Sequence, residues 1–165
     1  MIFFIILIVL MLLVIAYDAT RYIIPNWLSG ILLVLYPYLV LTVPGLDWKT
    51  AYLGMGVVFA LGFAIYALKW MGAGDIKLLA VLAPFVAGGG WGVLGQYVVY
   101  VTLAGGALSV FLLLARKAIP WVIALPQDTA KARLWRVGSP VPYGLAIAGV
   151  FIAYLWLGKI PGVVV

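Results

Sequence analysis

Cysteine, histidine and glutamate are absent: the four acidic residues among 165 are Asp18, Asp47, Asp75 and Asp128. Without cysteine there are no disulfides, thiolate metal sites or cysteine nucleophiles. Without histidine there is no imidazole ligand and no dyad or triad that uses imidazole as its base. Acid–base chemistry therefore falls to the carboxylates. Charge of any kind is scarce, at 8% of residues against 68% hydrophobic, with a mean hydropathy of +1.29. That is more apolar surface than a soluble core of this size can bury, so the composition places the chain in a bilayer. The net charge of +6 does not argue for nucleic acid, because the ten Lys and Arg are scattered among short polar stretches and form no continuous patch.

What is present is a series of apolar runs. They predict an all-α, polytopic integral membrane protein of six transmembrane helices, over Ile2–Tyr17, Trp27–Val43, Ala51–Leu68, a short Ile76–Ala87, Gly92–Ala115 and Pro142–Leu157. At about 1.5 Å per residue, runs of roughly 16 to 24 residues reach across a hydrocarbon core of about 30 Å, the shorter ones with local thinning. The first run has no charged segment ahead of it and no small-residue cleavage site, so it is expected to be a retained helix. The whole of 1–165 is expected to form one membrane-embedded domain. Arg21, Lys69, Lys77, Arg116, Lys117, Lys131, Arg133 and Arg136 fall in the first, third and fifth loops, against Lys49 and Lys159 in the others. The positive-inside rule then puts both termini outside and the odd loops in the cytoplasm. Small residues at Ala60, Ala64, Gly105 and Gly106 are expected to let helices approach closely.

On this layout Asp18 closes the first helix and Asp75 opens the fourth, at the same cytoplasmic depth, while Asp47 lies in an outer loop. Asp75 fits an N-terminal capping role, since an acid there complements the helix dipole. Asp18 has no such excuse, because a helix C-terminus disfavours negative charge. Ionisable groups at membrane depth are costly enough to imply function and a partner. Two carboxylates held together share one proton, and so provide a base to activate water and an acid to protonate the attacked carbonyl. Such a site hydrolyses a peptide bond with no metal and no cofactor. In "MGAGDIKLLA" the glycines Gly72 and Gly74 leave the backbone bare for an extended substrate and are free to take positive φ. Lys77, two residues past Asp75 and so on the other side of the helix, is expected to anchor at lipid phosphates. Pro25 and Asn26 are expected to start the second helix, with Asn26 as a cap, and Pro142, Tyr143 and Gly144 either to line the cleft where substrate backbone enters or to form the kinked start of the last helix.

Taken together, "YDATRYIIPNWLSG", "GAGDIKLLA" and "SPVPYGLAIAGV" resemble, in order, the motifs of prepilin peptidases, membrane aspartic proteases that remove the leader from type IV pilin precursors. The resemblance implies that Asp18 and Asp75 are the catalytic pair, with Gly72, Gly74, Lys77, Pro25, Asn26, Pro142 and Gly144 in the supporting motifs. It implies a prepilin or preflagellin precursor as partner, with a short basic leader cut at the inner (cytoplasmic) membrane ahead of a hydrophobic helix, commonly after glycine. Larger members add a cytoplasmic domain with a cysteine cluster and N-methylate the new terminus. The lack of cysteine and the short step from Asp18 to the second helix predict proteolysis without methylation, as in the stand-alone peptidases of tight-adherence (Flp) pilus systems or archaeal preflagellin peptidases.

The basic loop at about 116–140 interleaves Trp121, Val122, Ile123, Leu134 and Trp135 with its cations and is expected to lie on the inner leaflet, in contact with membrane lipid. Asp128 is its one acid. Two other readings remain open at this point. A presenilin-like intramembrane protease also carries Tyr-Asp and Gly-x-Gly-Asp motifs, but its proline-alanine-leucine signature is missing and its nine helices exceed the six counted here. A small proton-coupled transporter would use membrane acids as a relay, but would hold them near the midplane on broken or repeated helices.

Overall fold

A computed structural model describes residues 1–118 and 139–163. Among the described residues the chain is entirely helical: α1 (Ile2–Arg21), α2 (Asn26–Thr42), α3 (Trp48–Ala67), α4 (Ala73–Ala87), α5 (Trp91–Ala118) and α6 (Tyr143–Trp156). By length and composition α1, α3 and α5 suffice to cross a membrane, while α2 and α6 are shorter apolar helices and α4 is a short helix that opens on Asp75 and Lys77. Most of the 116–140 loop, with Trp121, Asp128, Lys131, Arg133, Trp135 and Arg136, lies outside the described residues.

The helices extend past the apolar runs because hydrogen bonding does not stop where hydrophobicity does. In α1 the Tyr22 amide still donates to the Asp18 carbonyl, so Asp18 stands inside the last turn. In α3 the helix begins earlier than its apolar run, because Asp47 is the N-cap and its Oδ1 accepts from the Thr50 amide at 3.1 Å. The Thr50 hydroxyl, and after it that amide bond, holds the exposed Asp47 carboxyl below its ordinary range. Asp47 is thus a structural cap, which the sequence pattern alone reads only as an outer-loop acid.

The packing is centred on α4. Ile76, Leu78, Leu79 and Ala80, then Leu82 through Ala87, are buried, and α2, α3, α5 and α6 all pack against this helix. By contrast α1, α3 and α5 turn large apolar side chains such as Leu12, Leu61, Phe63, Leu103 and Leu114 outward, as helices solvated by lipid do. The α3–α4 contact depends on bare backbone. A Cβ built on Gly54 would lie 2.7 Å from Ala87 Cβ, and one on Gly62 would lie 2.7 Å from Ile76 Cγ2. The small residues expected to serve this purpose divide: Gly105 takes the ring of Tyr143 against it, whereas nothing lies within 4 Å of a Cβ on Gly106, and Ala60 and Ala64 face outward. Outward-facing small residues make no helix contact, and an apolar pattern without polar faces cannot say which side of a helix is outward.

Gly54 and Gly56 provide a test of this packing on one helix. Gly54→Ala forces Ala87, which has no rotamer to change, away from α3 and should cost about 1–3 kcal/mol. Gly56→Ala meets nothing within 4 Å and should be neutral or slightly stabilising. Thermal unfolding of the two variants in detergent separates them.

Candidate active site

Three chain segments converge on one cavity of about 840 Å³. The α1–α2 junction contributes Asp18, Tyr22, Ile24 and Asn26; the α3–α4 junction contributes Tyr66, Lys69, Trp70, Gly72, Gly74, Asp75 and Lys77; and Pro140, Val141 and Tyr143 come from the approach to α6. The ends of α1 and α3 and the starts of α2, α4 and α6 therefore lie together, and the two aspartates that are distant in sequence share this cavity within electrostatic range of one another.

Asp18 is 4% exposed. Its disfavour at the end of α1 is resolved by a helix that is remote in sequence. The backbone amides of Gly144 and Leu145, in the first turn of α6, are the donors that face its carboxylate. A free helix N-terminus favours an anion through its unsatisfied N–H groups and its dipole, so α6 supplies what α1 cannot. The approach is close: a Cβ on Gly144 would stand 2.7 Å from Asp18 Oδ2, an enclosed oxygen with no well-aligned hydrogen bond. Glycine at 144 is what permits this contact, a reason invisible in the sequence.

Asp75 is the third residue of α4, and Gly72 is the N-cap. The carboxylate turns back to the Gly72 amide, the acid half of a capping box, and a Cβ on Gly72 would be 3.0 Å from Asp75 Oδ2. Neither Gly72 (φ −71°) nor Gly74 adopts positive φ, so that expectation is corrected. Gly72 clears space beside the carboxylate, Gly74 faces Ile24, and both leave cavity-lining backbone bare; they do not make a left-handed turn.

Two cavity-wall residues are left-handed: Tyr22, the C-cap of α1 at φ 54°, and, after α3, Lys69 at φ 59°. The Lys69 amide donates to Tyr66 O and that of Trp70 to Ile65 O, a Schellman closure of α3 with lysine where glycine is usual. At the far end of α6 the same closure uses Gly158, at φ 63°. A lysine held in this conformation at the cavity wall costs about 1 kcal/mol. Nothing in the sequence marks Lys69, Trp70, Tyr66 or Tyr22 as wall residues.

The supporting motif residues are placed as follows. Lys77 Nζ donates to Asn26 Oδ1 at 3.4 Å, tying the start of α4 to the start of α2. Asn26 is therefore not a cap: Pro25 occupies the N-cap position and Asn26 makes no capping bond. Pro142 is likewise the N-cap of α6, and neither proline is among the cavity walls. Arg116, which the sequence offers only as a topology charge, is 7% exposed. It donates to Ser139 O at 2.8 Å and Pro140 O at 3.3 Å, gripping the strand of chain that leads into α6. No cluster of metal-ligating side chains occurs among the described residues.

Comparison with known proteins gives the same family as the motifs. Residues 5–114 match the type IV leader peptidase family, a stretch that contains Asp18 and Asp75 and ends before α6. Over 107 residues, 64% of this chain, it is 36% identical to a prepilin leader peptidase/N-methyltransferase of Pseudomonas aeruginosa and 34% identical to one of Stutzerimonas stutzeri. The match covers 30% of the length of each of these relatives. No solved structure matches the chain.

Proposed function

The chain belongs to the type IV leader peptidase family, and from that premise we propose that it is a membrane aspartic endopeptidase that removes the basic leader from prepilin-like precursors, pilin or flagellin. The observation that carries this reading is the convergence of Asp18 and Asp75 on one cavity from two separate motifs. The cavity's bare Gly72 and Gly74 backbone is suited to an extended peptide. With one proton shared between the carboxylates, the ionised one takes a proton from water, whose oxygen attacks the scissile carbonyl carbon. The protonated one gives its proton to the carbonyl oxygen. Collapse of the resulting gem-diol returns a proton to the nitrogen as the C–N bond breaks, leaving the leader as a carboxylic acid and the mature chain as an amine. The site residues require no metal or cofactor for this.

We assign these 165 residues cleavage without N-methylation, although the relatives are named for both activities. The support is the absence of cysteine and the short connection from Asp18 to α2, which opens at Asn26 and leaves no room for an inserted domain there. Six crossings with both termini outside and the cavity at the cytoplasmic face follow from the charge distribution. Arg21, Lys69 and Lys77 lie at helix ends that form the cavity, and Arg116 and Lys117 lie in the last turn of α5 beside the segment that leads into α6, whereas Lys49 and Lys159 lie at the opposite ends. A transporter reading loses its main support, because Asp18 and Asp75 stand at helix ends and not at mid-helix.

Incubating the chain in liposomes with a prepilin-type precursor tests the proposal, and an uncut precursor overturns it. Arg116 is expected to act through Asp18 and not on substrate. Arg116→Gln frees the segment before α6 and relaxes the amides that face Asp18, so kcat should fall about tenfold with KM little changed, since a slightly misplaced carboxylate loses rate more than binding. Steady-state kinetics check that split, with Arg116→Lys recovering part of the loss.

A further inference from the structure

A second concavity, of about 360 Å³, lies next to the first. Its mouth is Asn26 and Lys77, which also line the cavity of the two aspartates. From there it runs along Ser29, Gly30 and Leu33 of α2 and Met55 and Phe59 of α3, over a floor of Ala80 and Val81 on α4. Helix rise puts Leu33 about 10 Å deeper than Asn26. We propose that this groove holds the apolar segment of the precursor that follows the cleaved bond.

The inference rests on the peptidase reading and deepens it. A precursor cut at Asp18 and Asp75 must continue from that cavity into hydrocarbon, and a polar backbone cannot cross lipid in an irregular, unpaired form. It must become helical at once, and such a helix gains by packing against protein on its way in. The groove offers that route because it adjoins the cavity at two shared residues. Gly30 and Ala80 let another helix backbone approach, as small residues do at transmembrane contacts. Leu33, Phe59 and Met55 provide apolar walls, and a thioether adapts to varied side chains. Asn26, held by Lys77 at the mouth, sits where the substrate changes from extended to helical, and its side-chain oxygen can accept from an N–H exposed at that change. The walls discriminate little among apolar side chains, so the groove suits a class of hydrophobic helices and not one sequence.

The absence of cysteine makes a clean crosslinking test possible. The probe is a designed precursor with a lysine-rich leader, a glycine at the junction and an apolar segment of about 20 residues carrying one cysteine a turn beyond the junction. Ser29→Cys and Leu33→Cys, each in the otherwise complete chain with Asp75→Asn to prevent cleavage, should form disulfides with it far faster than Val110→Cys, a lipid-facing position on α5. A Cβ on Gly30 meets nothing within 4 Å, so Gly30→Leu should fold normally and fill the groove. It is expected to raise KM for the precursor about tenfold, an effect on binding. Crosslinks no faster than those of Val110→Cys, or groove cysteines that capture only reactive lipid, overturn the assignment if the unaltered chain cleaves the precursor. If the unaltered chain leaves it uncut, the peptidase reading falls and the groove assignment falls with it.

Discussion

Asp18→Asn and Asp75→Asn are each expected to reduce precursor cleavage by at least about 10³-fold in kcat, the scale of a lost general acid or base. The double variant should be no slower than the slower single one, because groups that act as one unit are not additive. The substitution is a fair test of chemistry because it preserves shape. Asparagine at 18 still offers a carbonyl oxygen to the Gly144 and Leu145 amides, and asparagine at 75 still offers one to Gly72. The helices should therefore assemble, and unchanged helicity and elution in detergent would show it. What is lost is the ability to pass a proton to and from water. Conversion of precursor to mature product, followed by gel mobility in liposomes, is the measurement. Full cleavage by either variant removes the dyad from the mechanism.

Gly144→Ala is expected to have the second-largest effect, although residue 144 need never touch substrate. The new methyl would stand 2.7 Å from Asp18 Oδ2 and 3.0 Å from its Cγ. Asp18 is enclosed, so its carboxylate cannot swing into open space; either it rotates away from Asp75 or α6 withdraws its amides. Displacement of a reacting group by about 1 Å costs on the order of 10²-fold in rate. The loss should appear in kcat with KM nearly unchanged, because the groove and the Gly72–Gly74 backbone are untouched. Gly149→Ala, on the same helix with nothing within 4 Å of its Cβ, is the matched control and should behave as the unaltered chain. Equal activity of the two variants would show that Asp18 is not held by α6.

Both expectations concern the same carboxylate, and they show how far the primary structure could be read. The absence of histidine and cysteine leaves carboxylates as the acid–base groups of such a site, and with only four acids each could be weighed singly. The apolar runs locate the six described helices to within a few residues, because long apolar segments must be buried whatever the fold. The motifs at Asp18 and Asp75 carry the family's pattern, and the family match spans both.

Other features arise only from contacts between distant segments. That α6 turns its amides to Asp18, that Arg116 is buried to hold the chain entering α6, and that Gly54, Gly62 and Gly144 are bare because something lies against them all depend on which helix faces which. A membrane helix apolar on every side carries no polar face to announce its partners, so the sequence determined that helices form and roughly where they end. Their mutual rotation, and with it the company each aspartate keeps, was decided by close packing in three dimensions.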